Sequence, residues 1–342
     1  MAQNILTPGI LLDESGNLKE AGYATSLVRE YRRSDIKAGK LRIKEWDYYY
    51  IGNNDYGIAL TIADNSYMGL GSVSFLNFQN GQWLTKSVMT FFPKGKTNLP
   101  SSSKIGDVFF EKNNLKLEFY NDGKIRRLKC FMKNFYKKKH FSCDVILENE
   151  PQDSMVIATP FCEDKHFYYN QKINCLEARG SFQIGDAVYQ FNNQDSFGVL
   201  DWGRGVWTYK NTWYWSSMSG VHQGKKIGFN FGYGFGNTNS ASENMIFYDG
   251  LAYKVDRVVF EIPRDAKWRY QYLLPWKITS NDRLVDLVFT PILDRNDDTN
   301  IIILKSLQHQ VFGKFSGTLV IDGTKHEIND LLGFAERVTN YW

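Results

Sequence analysis

Alternation of apolar and polar residues recurs along most of the chain, with the two-residue period of a β-strand that has one buried face. Clear examples are residues 41–48, 115–119 and 283–289. Turn sequences such as Asn121-Asp122-Gly123 separate these segments, which predicts hairpins of antiparallel strands. Only residues 20–33 have a weak helical pattern. We therefore predict an all-β protein with little helix, closed as barrels or packed as sandwiches.

The two halves of the chain repeat this pattern in outline. An aromatic strand, a glycine-led apolar strand and a turn glycine follow one another in residues 46–81 and again in residues 213–250. The spacing is 24 residues from Gly57 to Gly81 and 22 residues from Gly228 to Gly250. We predict two related β units in tandem, residues 1–168 and residues 169–342.

Composition and charge exclude several classes of protein. The 342 residues are 43% hydrophobic and 15% aromatic, which excludes a disordered chain. Lys and Arg number 41 against 37 Asp and Glu, so the net charge of +4 does not indicate a nucleic-acid binder. The eight basic residues within residues 124–139 are interpreted as a solvated hairpin face. A patch for an anionic substrate or surface is the alternative.

Targeting and metal-binding signals are missing from the sequence. The first residues have no basic region followed by an apolar one, and no stretch has the ~18 apolar residues needed to span a membrane. Four cysteines, at positions 130, 143, 162 and 175, form no Cys-x-x-Cys pair and are expected to be buried free thiols. We expect a cytoplasmic protein. The histidines lack metal-site spacing and no nucleotide-binding loop occurs, so no metal or cofactor is expected.

Residues 197–236 differ from the rest of the chain, since these 40 residues contain 11 aromatic residues and nine glycines. Alternation predicts an aromatic face and an opposite face of glycine and asparagine. The aromatic face comprises Phe229, Phe231, Tyr233 and Phe235, and the opposite face comprises Asn230, Gly232, Gly234 and Gly236. An aromatic face belongs in a core, whereas a glycine face lets a strand, a tryptophan side chain or a ligand approach the backbone. Trp213 and Trp215 likewise share a face that excludes Tyr214.

Two carboxylates are the candidate catalytic residues. Asp201 lies three residues before Arg204 in an apolar, glycine-containing segment, where each charge needs a partner. An ideal strand points these two side chains to opposite faces, so direct pairing requires a bulge. Either they form a structural ion pair, or Asp201 is an acid/base and Arg204 an anion or carbonyl partner. Glu243 begins an apolar run after a loop, where aromatic neighbours would raise its pKa and allow proton donation. An ordinary hairpin-end carboxylate is the alternative.

Several further residues are candidate ligand-binding residues. His309 lies in an apolar strand, although a core or surface histidine would have the same context. The complete set of candidates for ligand binding is Arg179, Arg204, Trp207, Trp213, Trp215, Asn230, Asn244 and His309. The arginines and asparagines in this set favour a polar ligand over a hydrocarbon.

Six segments of the sequence match a known family, namely residues 9–13, 196–207 with Asp-Trp-Gly-Arg-Gly, 212–215 with Thr-Trp-Tyr-Trp, 242–244, 309–313 and 330–336. Through them the sequence resembles the family of the domain of unknown function 2804, over essentially the whole chain. Thr208 departs from the proline expected there. This family is similar to carotenoid hydratases and tocopherol-cyclase-like proteins, which implies two lipocalin-like barrels with an associated ligand site. The resemblance does not carry over an activity, because one fold hosts many functions.

Three functions remain open from the sequence. The first is a cofactor-independent acid/base enzyme, a hydratase, hydro-lyase, cyclase or isomerase. In such an enzyme a carboxylic acid protonates an isoprenoid-like substrate and aromatic faces stabilise the cation. The second is a carbohydrate-active enzyme, in which Asp201 and Glu243 form the carboxylate pair of a glycosidase and tryptophans stack on sugar rings. The third is a non-catalytic lipocalin-like carrier with a uniformly apolar interior. The family resemblance ranks the first above the others.

We predict that Gly232→Val will disturb ligand binding or barrel packing far more than a typical surface substitution, because the glycine face is closely approached. Urea unfolding and ligand titration of the variant measure the two effects. Near-wild-type stability together with near-wild-type binding would show that this face is open.

Overall fold

The computed structural model describes residues 3–301 and 304–341 and is nearly all β, with 63% of residues in strands. The described residues contain no α-helix, only two 3-10 turns at Arg33–Asp35 and Lys40–Arg42. The helical expectation for residues 20–33 is wrong. Residues 22–24 instead pair with a strand of the first sheet, and residues 29–30 form a short parallel pair with residues 9–10.

Twenty-four strands are described. They are β1 Gly9–Ile10, β2 Gly22–Ala24, β3 Arg29–Glu30, β4 Ile43–Gly52, β5 Tyr56–Asp64, β6 Met68–Asn77, β7 Gln82–Phe91, β8 Val108–Lys112, β9 Leu115–Asn121, β10 Arg126–Tyr136, β11 Lys139–Glu148, β12 Met155–Pro160, β13 Phe167–Ile184, β14 Ala187–Phe191, β15 Phe197–Val206, β16 Lys210–His222, β17 Lys225–Tyr233, β18 Met245–Tyr248, β19 Leu251–Lys254, β20 Val258–Glu261, β21 Trp276–Ser280, β22 Val285–Ile301, β23 Leu304–Ile321 and β24 Thr324–Tyr341.

Two curled antiparallel sheets form a barrel and a half-barrel, which confirms the predicted fold class. The first sheet has 13 strands, with the main order β7-β6-β5-β4-β15-β13-β11-β10-β9-β8. Off this order, β12 and β14 pair with β13, and β2 pairs with β12. The second sheet has nine strands, in the order β19-β18-β17-β16-β24-β23-β22-β21-β20. Each sheet encloses its own apolar core.

Strand β4 belongs to the first sheet, is buried on both faces and packs against the second sheet. Tyr49 and Ile51 point into the core of the first sheet. Tyr48 and Tyr50 point the other way and pack against side chains of the second sheet, with the Tyr50 ring 5.2 Å from that of Phe312. Because one face of β4 contacts each core, the outer face of the first sheet becomes an interior surface between the sheets.

Strand β15, which carries the aromatic and glycine motif, lies between β4 and β13 and is buried along its whole length. Its register with β4 runs without a bulge from Phe197 to Val206, so Asp201 and Arg204 point to opposite faces. The chain passes from the first sheet to the second between Val206 and Lys210. The division of domains at residue 168 stays a prediction.

The expectations for the cysteines and for the basic hairpin are correct only in part. Cys130, Cys143 and Cys175 are buried free thiols, but Cys162 lies exposed between β12 and β13. In the basic hairpin of β10 and β11, Arg127 is exposed and pairs with a carboxylate at 2.6 Å, as a solvated face would. Arg126 is instead buried beside Ser103, whose carbonyl oxygen it binds at 2.9 Å.

The described part of the chain also contains no helix that is long and apolar enough to cross a membrane.

We predict that Gly203→Ala will lower the free energy of unfolding by about 1–3 kcal/mol, because overpacking a buried site forces its neighbours to move. A Cβ at residue 203 would overlap the Trp46 indole, which is itself held between Tyr168 and Trp207. Urea unfolding measures the change. The control is Gly39→Ala, where φ is −56° and the new Cβ comes no closer than 3.8 Å to another side chain. Equal effects at the two positions would contradict the prediction.

Candidate functional site

A cavity of about 530 Å³ lies between the two sheets. Five tryptophans line it, namely Trp46, Trp83, Trp207, Trp213 and Trp215. Its charged side chains are Lys172, Asp201, Glu243, Arg295, Asp297 and Glu336. Hydroxyl and amide side chains from β5, β6, β7, β22 and β23 form much of the remaining wall. The cavity therefore combines an aromatic region, acidic groups and a polar wall.

Asp201 enters the cavity as one half of an ion pair. Lys172 is its cross-strand neighbour on β13, and the Lys172 Nζ lies 2.9 Å from Asp201 Oδ2. Asn170 Nδ2 donates to Asp201 Oδ1 at 2.6 Å, so each carboxylate oxygen has a polar partner, an amide for Oδ1 and the ammonium for Oδ2. The Lys172 ammonium also lies 3.6 Å from the Trp215 ring centroid, which is a cation–π contact. Lys172 from the neighbouring strand, and not Arg204, is thus the charged partner of Asp201.

Glu243 reaches the same cavity from the segment between β17 and β18. Asn230 Nδ2 donates to its Oε2 at 3.3 Å and to its main-chain oxygen at 2.8 Å, while Asn230 Oδ1 accepts from Trp215 Nε1 at 2.7 Å. Burial raises the pKa of Glu243, against the opposing effect of Lys172. A Cβ at Gly232 would lie 2.5 Å from Glu243 Oε1. At Gly232, the glycine face is therefore occupied by this carboxyl group.

Glu336 on β24 is the third carboxyl group of the cavity. Its Oε1 accepts from Trp213 Nε1 at 2.8 Å and its Oε2 from Gln310 Nε2 at 2.9 Å. The Tyr48 hydroxyl donates to Gln310 Oε1 at 3.3 Å, which extends the network to the first sheet. Burial raises the pKa of Glu336 to about 7, because desolvation outweighs the hydrogen bonds and the nearby Lys172.

Sequence reasoning missed Glu336 and Lys172 as site residues. Glu336 lies on the same strand face as the buried residues Phe334 and Val338. A carboxylate between two apolar residues of an alternating strand is rare in a core, so the sequence alone could have indicated it. Lys172 lies in a run of β13 in which residues 167–176 are all buried. Lys172 could have been recognised as a buried lysine only if the boundaries of β13 had been known.

The three predicted tryptophans Trp207, Trp213 and Trp215 all line the cavity. Tyr214 faces the core of the second sheet and stacks on Tyr233 at 4.5 Å, which confirms the predicted alternation. Phe235 departs from the predicted aromatic face. Gly234 has a φ of +89° and lies beyond the end of β17, so Phe235 leaves that core and packs 4.8 Å from Trp207 in the cavity wall.

Arg204 lies outside the cavity, in contrast to its predicted place in the site. Its fully buried guanidinium donates to Asp47 at 3.0 Å, to the Trp46 carbonyl at 2.7 Å and to the Pro100 carbonyl at 2.8 Å. The unbroken register of β15 turns it away from Asp201 into the first core. Its contacts are those of a structural ion pair, with Asp47 as the partner.

Asn230, another predicted binding residue, does not line the cavity and instead bonds Glu243 and Trp215, which do. Three more predicted binding residues also lie away from the cavity. Arg179 pairs with Glu148 at 2.9 Å on the surface of the first sheet. His309 Nδ1 lies 2.7 Å from Asp294 Oδ2 and its ring stacks on Tyr272, because β23 directs residues 309 and 310 to opposite faces. Asn244, the third of these residues, accepts a hydrogen bond from the Gly232 amide at 2.8 Å and holds the backbone.

The sequence profile described as "Domain of unknown function (DUF2804)" matches residues 2–342. The chain belongs to this family. Comparison with curated proteins gives no match.

Solved structures show a similar fold at low sequence identity. An AttH-like protein from Nitrosomonas europaea has a TM-score of 0.54 and 11% identity, over 86% of this chain and 92% of that one. Kievitone hydratase from Nectria haematococca has a TM-score of 0.48 and 11% identity, over 97% and 98%. CghA solved with Sch210972 has a TM-score of 0.45 and 9% identity, over 98% and 97%. The AttH-like protein has a carotenoid-hydratase/tocopherol-cyclase-like lipocalin fold, and the likeness to it confirms the fold implied by the resemblance.

We predict that the raised pKa of Glu336 makes stability depend on pH. The pKa is about 7 in the folded protein against 4.5 for the ordinary group, so the folded state holds more protons between these values. The free energy of unfolding, relative to that of Glu336→Gln, therefore falls as the pH rises from 4.5 through 7, by about 3 kcal/mol in all.

Urea unfolding of both proteins at pH 5, 6, 7 and 8 measures this difference. Glu327→Gln is the matched control, because Glu327 is exposed on the same strand and bonds only Thr318. Parallel pH profiles for the wild type and Glu336→Gln would contradict the prediction.

Proposed function

We propose that this protein is a cofactor-independent acid/base enzyme of the hydratase, hydro-lyase, cyclase or isomerase type that acts on a small molecule. The observation that carries the proposal is the grouping of Glu336, Glu243 and the Asp201–Lys172 pair around one tryptophan-lined cavity. A carboxyl group whose pKa is close to neutrality can hold a proton and still release it. Glu336 is the proposed proton donor.

The surroundings of Glu336 suit both of its protonation states. When it gives its proton to a substrate double bond, the resulting carboxylate keeps the hydrogen bonds from Trp213 and Gln310. The indole faces stabilise positive charge that develops on the substrate. A carboxylate of the cavity then takes a proton from the adjacent carbon, which completes an isomerisation or cyclisation, or from an attacking water, which completes a hydration.

The polarity of the cavity supports an enzyme over a carrier. A carrier of hydrophobic ligands needs an apolar interior, whereas four carboxyl groups line this cavity, and three of them (Asp201, Glu243 and Glu336) are buried on separate elements. Desolvation of such groups costs free energy that a passive binding site has no reason to retain.

A carbohydrate-active enzyme is the second candidate, and one observation favours it. The wall formed by β6 and β7 presents the hydroxyl groups of Ser72, Thr85 and Ser87, which would suit a ligand with several hydroxyl groups. Indole faces stack on sugar rings, and Asp201 and Glu243 would then be the carboxylate pair.

The test is a screen of the purified protein against isoprenoid alkenes, their hydroxylated products and aryl glycosides, with products identified by mass spectrometry. On the substrate found, we expect Glu336→Gln to lower kcat by about 100-fold or more, as the loss of a general acid does. Glu243→Gln and Asp201→Asn should also reduce the rate. Glu327→Gln is the control and should keep it.

The class of substrate separates the two candidates, since turnover of glycosides alone would favour the second. Activity that survives in Glu336→Gln, Glu243→Gln and Asp201→Asn alike would refute the proposed site.

A further inference from the structure

Arg295 is a cation of the cavity that has no carboxylate partner among the described residues. Its Nη1 donates to Ser74 Oγ at 2.8 Å, and its guanidinium carbon lies 6.0 Å from the Tyr48 ring centroid. No carboxylate oxygen in residues 3–301 and 304–341 lies within 4.0 Å of its nitrogens. Lys172, the other cation lining the cavity, is already paired with Asp201. A guanidinium has five N–H donors, so Arg295 retains unused binding capacity.

Arg295 belongs to a row of side chains that crosses the second sheet on its cavity face. The register pairs Arg295 with Gln310, Gln310 with Glu336, and Glu336 with Trp215. Directly paired residues on neighbouring strands project their side chains from the same face. With strands about 4.8 Å apart, the backbone of Arg295 lies about 10 Å from that of Glu336. A ligand along this row would contact both groups at once.

We propose that the substrate carries a carboxylate group, which Arg295 binds while the apolar part of the substrate lies over Trp215 beside Glu336. This inference rests on the proposed function, because it places the anion relative to the proposed proton donor. A planar guanidinium donates two parallel hydrogen bonds to a carboxylate, which fixes orientation as well as binding.

The charges of the cavity favour a singly charged anion over a phosphate. Asp201 is neutralised by Lys172, so Arg295 offers one positive charge to a ligand. A buried anion needs a matching partner, and a second negative charge would be left unpaired near Glu243, Asp297 and Glu336. A hydrocarbon ligand would in turn leave the Arg295 guanidinium desolvated, with Ser74 as the acceptor for one of its five N–H donors.

Isothermal titration calorimetry with two matched pairs of probes tests the inference, namely 2-naphthoate with 2-naphthamide and trans-cinnamate with cinnamamide. In each pair the ring is constant and only the charge of the head group changes. The wild type should bind each carboxylate at least about tenfold more tightly than its amide, as charge-assisted hydrogen bonds imply. Arg295→Gln should remove this preference. Arg179→Gln, which alters a surface arginine paired with Glu148, should keep it.

Two outcomes would overturn the inference, namely equal affinity for acid and amide in the wild type, and a preference that persists in Arg295→Gln. Glu336→Gln separates this inference from the proposed function, since it should abolish turnover yet retain the preference for carboxylates. If the activity screen fails while the Arg295 preference holds, only the catalytic proposal is lost.

A soak of wild-type crystals with 6-bromo-2-naphthoate gives a test that does not depend on a variant folding. The carboxylate should lie against Arg295, with the bromine located by its anomalous signal toward Trp215. A carboxylate bound to Lys172 or outside the cavity would contradict the inference.

Discussion

Burial of β4 and β15 on both faces is the constraint on which the rest of this structure depends. Because the outward side chains of β4 are tyrosines and tryptophan, they need cover, and the second sheet supplies it through Trp215, Phe312 and Phe334. The polar side chains on the same surfaces are then removed from water together. The desolvation of Glu243 and Glu336, and therefore the raised pKa of each, follows from how the sheets pack.

The fold class and part of the site could be predicted from the sequence because they are local properties. Strand alternation and turn glycines indicated the sheets, and the isolation of Asp201 and Glu243 among aromatic residues marked them as unusual. Pairing could not be predicted, because it depends on register between distant strands. Asp201 pairs with Lys172 through the alignment of β13 and β15, while Arg204 finds Asp47 on β4. No pattern within a single strand contains that information.

In this family the shared fold does not determine the chemistry of the cavity. The likeness to the AttH-like protein, at 11% identity, describes how the strands are arranged and nothing about reacting groups. The chemistry rests instead on which side chains the two sheets place opposite each other. Glu336 acquires its properties from Trp213 and Gln310 on neighbouring strands, while the Asp201–Lys172 pair belongs to the other sheet.

The wall of hydroxyl groups on β6 and β7 has a consequence for how the family can diversify. These side chains lie on the first sheet, and β7 ends its main strand order, whereas Glu336 and Arg295 lie on the second sheet. Substitutions on β7 can thus reshape the cavity without touching the hydrogen bonds that tune Glu336. One part of the cavity wall can therefore change while the proposed proton donor keeps its hydrogen bonds, and libraries for altered specificity should begin at residues 83, 85 and 87.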